Sequence, residues 1–593
     1  MAFFEHLTPL WAMRPSNPAR FWLIWITITA GAAISVAFTV RGEKSVATSR
    51  QATKVPINLF LTRQQVGTPH AVVALTVLAV FLTSFIAMSL AWDDFAFYDN
   101  AVLTQYTLKG HDYRSPIWRG DARFYPLAFQ EFNLIRHFTD TITGYHLLPI
   151  AQLLIFCWIL LILDDELSIA ARAALAILAL LTPSILFSFG VLLLPERNVL
   201  FFLACLVLSV KRFEQTLSIT WAVAATVSAQ FMLYNKEVAF LLLFGFAASR
   251  LILRGRSTKR PGWGYDRLWD RESRLDLCLA ALAVLFLLYY FAEMGIHPSM
   301  GYRERNGHPS LENLLVYIKV DVLAWLFTVI VLGRIYLILR HRVAPLLLWD
   351  GLAIGAVPYF LAFLYLGIFA PWYLAPVDLI AVLYVGRFAV LSWKKMRSWS
   401  KIAASMMAFT VLLQGIPQSA LTVFELKNSI HAKAEMASVI ETRYRSDSRK
   451  SVRLYFPFSD AWDTDQFACY LNYRGVPAKG DFCEAAGPNS VVLAIPKDHP
   501  DQGWMSLRGD TISEPDRGDL VIVLPDAHAS LAEASAYRQR GEPLFSYEPR
   551  PAIPQWLYAV VDSLAPSSAG CYHDDARPCQ SFVSVFKSSR SAK

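Results

Sequence analysis

Charge is scarce in this chain. Asp, Glu, Lys and Arg make up only 17% of its 593 residues, while 55% are hydrophobic. A soluble domain carries about 25% charged residues. The deficit, together with long uncharged runs, excludes an ordinary soluble protein and marks a polytopic helical membrane protein. The first twenty residues lack the cleavage pattern of a signal peptide, so the first apolar run is expected to be retained. No clear two-fold repeat relates the apolar runs, which counts against a transporter built from matched halves. The tail after residue 424 has no phosphate-binding glycine loop and no metal-ligand cluster, so it shows no nucleotide or metal site of its own.

The net charge of +8 is no sign of nucleic-acid binding. In a membrane protein Lys and Arg collect in cytoplasmic loops. Twelve spans are expected, at 21–40, 70–91, 145–163, 174–193, 197–210, 216–233, 238–253, 275–292, 314–339, 344–367, 374–393 and 402–421. Arg41, Lys44, Arg50, Lys54 and Arg63 fall in segment 41–69. Seven Lys or Arg fall in 254–274 and four in 394–401. With the N-terminus outside, all of these become cytoplasmic, as do Lys211/Arg212 and Arg340/Arg342. The expected layout is an N-terminal span and cytoplasmic loop (1–69), a transmembrane domain (70–424) and a soluble periplasmic domain (425–593) in a bacterial inner membrane.

Seven cysteines divide along the same line. Cys157, Cys205 and Cys278 lie in apolar spans, where they act as small buried hydrophobes. Cys469, Cys483, Cys571 and Cys579 lie in the tail. An even number in an exported domain fits two disulfides, with 469–483 and 571–579 the expected neighbours among three connectivities. Four free thiols in a cytosolic tail is the competing reading.

The run Ala71–Ala91 ends directly in "AWDDFAFYDN", with Asp93, Asp94 and Tyr98. This opens an outer loop, 92–144, that is aromatic and basic and includes His111, Arg114, Arg119 and Arg123. Its second half can form an amphipathic helix, with Phe124, Leu127, Phe132 and Leu134 apolar, suited to lying on the membrane surface. Short outer turns follow. "LLLPERNVLF" carries Glu196 and Arg197, and "FMLYNKEVAF" carries Lys236 and Glu237. A longer turn offers Arg303 and Arg305, and "GIFAPWYLAPVD" offers Trp372 and Tyr373. Charges pressed against apolar spans are costly unless paired or facing a wet cavity. Each has a bland alternative: Glu196/Arg197 and Lys236/Glu237 as local surface ion pairs, Arg303 and Arg305 on lipid headgroups, Trp372 and Tyr373 in the interfacial belt. A second acid pair, Asp164/Asp165, falls inside and reads as a cap for the next helix with Ser168.

An enzyme outside the cytoplasm needs a donor that is already activated, and a sugar on a polyprenyl phosphate meets that need. The phosphate calls for cations, for which Arg is well shaped. The acceptor hydroxyl calls for one carboxylate base. Phosphate leaves without a general acid, so a single displacement would invert the anomeric carbon. Asp93 and Asp94 should divide roles, one as base and the other orienting the loop or binding a divalent cation.

A DD pair outside an early span, a long amphipathic first outer loop, acids in short later loops and a late "WYLAP" resemble the GT-C superfamily of integral-membrane glycosyltransferases over residues 70–400. The extra span at 21–40 departs from the common pattern. The resemblance implies Asp93 or Asp94 as base, with Glu196 assisting, through Mg, Mn or Ca shared with Asp94 if a metal is used. The candidates for the donor phosphate are Arg114, Arg119, Arg123, Arg197, Lys236, Arg303 and Arg305, of which two or three are expected to touch it, and those for donor or acceptor contact are Tyr98, His111, Glu237, Trp372 and Tyr373. The implied activity is hexosyl or pentosyl transfer, arabinofuranosyl transfer included, to an envelope glycan, lipid or protein. The tail reads as α/β: "SVRLYF", "SVVLAIP" and "DLVIVLP" as buried strands and "SLAEASAYRQRG" as a helix. By similarity to exported members it would hold the acceptor; a plain structural cap is the alternative. The rival classes are a transporter or lipid-linked-sugar flippase, for which Lys319, Asp321, Asp350, Asp378 and Arg387 lie in or near spans, and a glycan ligase or polymerase.

Overall fold

The structure is a computed structural model. It describes residues 68–90, 125–139, 142–192, 194–257, 271–296, 321–366, 371–393, 433–446, 452–457, 461–480, 490–497, 503–516, 519–523, 541–547 and 583–588, with isolated positions between 398 and 459.

Apolar runs become helices because a chain in hydrocarbon must satisfy its backbone internally. In order these are α1 (Pro69–Leu90), α2 (Gln130–Ile135), α3 (Ile142–Leu163), α4 (Ile169–Leu180), α5 (Pro183–Gly190), α6 (Pro195–Thr216), α7 (Ile219–Asn235), α8 (Ala239–Ser257), α9 (Arg271–Ile296), α10 (Val322–Leu339), α11 (Leu347–Leu366) and α12 (Ala375–Ser392). Five stretches within them are long and apolar enough to cross a membrane, in α3, α9, α10, α11 and the end of the 371–374 turn with α12. The pair α4–α5 makes a sixth if its 74° bend lies within one span. The bend follows from Pro183 at the first position of α5, which cannot continue the hydrogen-bond ladder of α4. The expected count of twelve is therefore not reached among the described residues. The runs expected at 197–210, 216–233 and 238–253 are helical, but α6 opens on Glu196 and Arg197, α7 has 17 residues, and α8 buries Arg250. The run at 21–40 lies outside the described residues.

The helices enclose one apolar core running from Leu78 on α1 to Tyr384 on α12. At the α8–α11 crossing the two backbones come close together. A Cβ on Gly355 would stand 2.6 Å from the Phe246 nitrogen and 2.7 Å from the Leu242 oxygen, and one on Gly245 would stand 2.8 Å from the Gly355 Cα. Glycine lets two backbones approach where lipid offers no hydrophobic drive between helices.

Charges sort to the two ends. At the end expected to face the cytoplasm, Arg387 of α12 grips Asp164 (2.7 Å) and Glu166 (2.6 Å). Lys211 of α6 lies 3.8 Å from Asp164 and 3.6 Å from Asp165. Arg250 joins Asp276 (2.7 Å) and Glu214 (2.8 Å), and Arg334 joins Asp350 (2.9 Å). The expected cap role of Asp164/Asp165 needs correcting in part. Ser168 does cap α4, accepting from the Ala171 nitrogen, but the two aspartates serve cations of α6 and α12.

The tail forms one mixed sheet. Strands β1 (Arg453–Tyr455), β2 (Ala478–Lys479), β3 (Val491–Pro496), β4 (Trp504–Ser506), β5 (Thr511–Ile512), β6 (Leu520–Val523), β7 (Gly541–Tyr547) and β8 (Val583–Ser588) run in the order β5-β4-β3-β1-β6-β8-β7, with β2 beside β3. The three strands expected from sequence are β1, β3 and β6, parallel at the centre, with Leu454 opposite Leu493 and Leu520. Central parallel strands are covered on both faces, which explains their unbroken apolar runs. Helix α13 (Ala461–Tyr473) covers one face through Phe467, Ala468 and Leu471. The helix expected at 530–541 lies outside the described residues. Cys157, Cys205 and Cys278 are free thiols. Cys469 is disulfide-bonded, but no disulfide joins two described residues. Cys483, Cys571 and Cys579 lie outside them, so neither expected pairing is read here.

A second apolar cluster joins tail and bundle. It includes Tyr125, Phe129 and Phe132 of the first outer loop, Tyr145 of α3 and Leu192. From the tail it takes Met436, Ile440, Leu454, Phe456 and Phe467. The loop segment expected to lie along the membrane surface is thus partly enclosed. Phe132 is buried, Leu127 is half-buried, and Leu134 and Phe138 stay exposed.

Candidate active site

The opposite end of the bundle gathers the turns of interest. The N-terminus of α6, the end of α7, the turn 371–374 and the first-loop segment 125–135 meet there. Adjacent residues on a helix point about 100° apart, so Glu196 and Arg197 face different neighbours.

Glu196 turns to Lys236, with Nζ 2.7 Å from Oε1 and both side chains nearly inaccessible, 1% and 4% exposed. The ammonium also sits 4.1 Å from the centroid of the Tyr373 ring. A cation taken out of water gains from a carboxylate and a ring face together. Tyr373 stacks on Phe363 at 5.0 Å, and Trp372 stacks on Phe187 at 4.7 Å. These aromatics are packed in the bundle end. Among the described residues neither Glu196 oxygen has a hydrogen-bond partner beyond the Lys236 ion pair, and the buried Tyr359 hydroxyl of α11 has none. Glu196, Glu237 and Tyr373 lie within electrostatic reach of Tyr359.

Arg197 turns instead to the first outer loop. Its Nη2 donates to Glu131 Oε1 at 2.9 Å and its Nη1 donates to the Leu192 carbonyl at 2.9 Å. The guanidinium lies over the Phe132 ring at 5.6 Å and is fully buried. Asn198 Nδ2 donates to the same Glu131 oxygen at 2.8 Å and to Asn235 Oδ1 at 2.9 Å, while its Oδ1 accepts from Gln152 at 2.9 Å. The Leu127 nitrogen donates to the Tyr234 carbonyl at 3.0 Å.

The structure therefore brings together Glu196, Lys236, Glu237, Trp372 and Tyr373, and places Arg197 beside them in a separate pair. The local pair Glu196/Arg197 does not describe the site, because Glu196 and Arg197 each bond a partner on another element. Asp93, Asp94, Tyr98, His111, Arg114, Arg119, Arg123, Arg303 and Arg305 lie outside the described residues. Sequence reasoning passed over Glu131, Asn198, Asn235, Gln152 and Tyr359. A signal existed for Glu131, the one acid in the short stretch QEFNLI.

Among the described residues no group of three or more His, Cys, Asp or Glu could hold a metal. The expected divalent-cation pair of Asp94 and Glu196 includes Asp94, which lies outside the described residues. Of the charges named for transport, Lys319 lies outside the described residues and the other four have partners. Asp350 takes Arg334 and the Tyr384 hydroxyl (2.7 Å), Arg387 takes Asp164, Asp321 caps α10, and Ser184 donates to Asp378.

No family model and no curated protein matches the chain. Among solved structures it is similar to ArnT from Cupriavidus metallidurans bound to undecaprenyl phosphate, at 12% identity and TM-score 0.39, covering 81% of this chain and 97% of that one. The apo form of the same protein gives 12% identity and TM-score 0.37, covering 81% and 96%. At this identity and with TM-scores below 0.5, the likeness carries no argument about this chain's activity.

Proposed function

We propose that the protein is an inverting glycosyltransferase of a bacterial inner membrane. It moves one sugar from a polyprenyl phosphate to an envelope glycan, lipid or protein on the periplasmic side. The observation that carries this reading is Lys236. A desolvated ammonium, held by one carboxylate and one ring face, stands at the bundle end opposite the Arg- and Lys-rich clasp. That is where a lipid-borne phosphate would arrive under the charge-derived orientation.

In this reaction Asp93 or Asp94 takes the proton of the acceptor hydroxyl. The hydroxyl oxygen attacks the anomeric carbon, the carbon–oxygen bond to phosphate breaks, and polyprenyl phosphate leaves with the electron pair. Lys236, with Arg303, Arg305 or the first-loop arginines, offsets the phosphate charge. Glu196 sets the ammonium's position. Trp372 and Tyr373 border the site, and Tyr98, His111 and Glu237 are further contacts. The tail domain presents the acceptor. The sugar is a hexose or a pentose.

The test is purified protein in nanodiscs with a panel of synthetic polyprenyl-phosphate sugars, scoring release of polyprenyl phosphate. Wild type should consume at least one donor, and Asp93→Asn or Asp94→Asn should abolish turnover. Equal turnover by both variants removes the assignment of the base. If no donor is consumed but lipid-linked sugar crosses the bilayer of sealed proteoliposomes, the protein is a flippase.

A further inference from the structure

Glu131, to which the reaction above assigns no part, joins two donors at this end of the bundle. One oxygen of Glu131 accepts from two donors on α6, Arg197 at 2.9 Å and Asn198 at 2.8 Å. Those donors directly follow Glu196, which holds Lys236. Asn198 also bonds Asn235, the residue before Lys236. The first outer loop is thereby tied to both ends of the Glu196–Lys236 pair. A second tie comes from the other side. Phe129 and Phe132, on either side of Glu131, enter the apolar cluster shared with Met436, Phe456 and Phe467 of the tail domain. The main chain adds a third, from the Leu127 nitrogen to the Tyr234 carbonyl.

We infer that Glu131 is a positioning residue that locks segment 125–135 onto the Glu196–Lys236 pair and so sets where the Lys236 ammonium stands. This inference rests on the glycosyltransferase reading for its kinetic consequence, while the docking itself does not. Two buried donors converge on one oxygen, so the reach of the side chain matters as much as its charge. A 1 Å misplacement of a reacting group costs up to about 100-fold in rate.

The test separates reach from charge. Glu131→Gln keeps the length and an accepting oxygen, and Glu131→Asp keeps the charge but withdraws the carboxylate by one methylene. Both are measured in nanodiscs for kcat, donor KM and hydrogen exchange of residues 125–138. Expected is a kcat order of Glu, then Gln, then Asp, with Asp down roughly 10- to 100-fold and donor KM within about twofold. Exchange in 125–138 should rise in Asp and not in the helices of the bundle. A wild-type kcat in Glu131→Asp overturns the proposal. So does a loss shared equally by KM, kcat and exchange across the bundle, which marks general destabilisation. If wild type turns over no donor, the glycosyltransferase reading fails, and exchange alone decides whether Glu131 docks the loop.

Discussion

Lys236 offers the sharpest test, because stability and activity should part company. The pair Lys236–Glu196 is 2.7 Å apart with both side chains almost wholly buried. At an effective dielectric of about 20, two unit charges at that distance attract by about 6 kcal/mol. Desolvation of each ion opposes this by several kcal/mol, so the net value of the pair is small. Removing one partner is different. Lys236→Met leaves the Glu196 carboxylate buried and uncompensated, at a cost of about 3–5 kcal/mol. Glu196→Leu leaves the ammonium with only the Tyr373 ring and should cost a similar amount. The double variant Lys236→Met/Glu196→Leu removes both charges and should recover most of the loss. Its activity should not recover, because the phosphate then lacks its buried cation. Thermal unfolding in nanodiscs, followed by intrinsic tryptophan fluorescence, reads the first quantity, and release of polyprenyl phosphate reads the second. A single Lys236→Met variant as stable as wild type would show that the pair is not desolvated. A double variant that is stable and fully active would show that Lys236 takes no part in catalysis.

Two further expectations concern the scaffold. Gly355→Ala should lower the unfolding midpoint, by the 1–3 kcal/mol typical of overpacking, since the new methyl meets main-chain atoms of α8 at 2.6 and 2.7 Å that cannot swing aside; an unchanged midpoint would mean that α8 and α11 are not in contact there. In the tail, burial pushes the Asp519 carboxyl above its ordinary range, opposed by the Asp516 amide and Arg453. A raised folded value means that protonation favours the fold, so this contribution is complete below the ordinary carboxylate range and is lost as pH rises through the raised value. Asp519→Asn keeps an acceptor for the Asp516 amide, 2.8 Å away, and should stabilise the protein at pH 7 with a gain that fades below about pH 4; a gain independent of pH would refute the assignment.

Much of the fold was legible because it depends on local composition. Uncharged runs become helices wherever the backbone must satisfy itself, and α3, α9, α10, α11 and α12 fall where the sequence placed spans. The β-branched clusters at 451–456, 490–496 and 519–525 became β1, β3 and β6 for the same reason. The break between α4 and α5 was harder to read. Pro183 signals it, but the surrounding residues are as apolar as an unbroken span, and hydropathy is blind to direction. The spans expected at 197–210 and 238–253 drew on apolar content alone. The structure shows that both helices also bury arginines, Arg197 and Arg250, which only a protein partner makes tolerable.

The candidate site divides along the same line. Residue types and the side of the bundle on which Glu196, Lys236, Trp372 and Tyr373 would emerge follow from spacing and from the placement of Lys and Arg. Partner choice does not. Glu196 finds Lys236 forty residues away and Arg197 finds Glu131 sixty-six residues back, although each has an opposite charge next to it in the chain. Neighbours on one helix diverge by about 100° and stay wet, whereas charges carried into a packed end must pair with whatever another element presents. Composition thus determined which runs become helices long and apolar enough to cross a membrane. Only the packing of α6, α7 and the first outer loop decided which charge meets which, because desolvation acts on groups brought together in space.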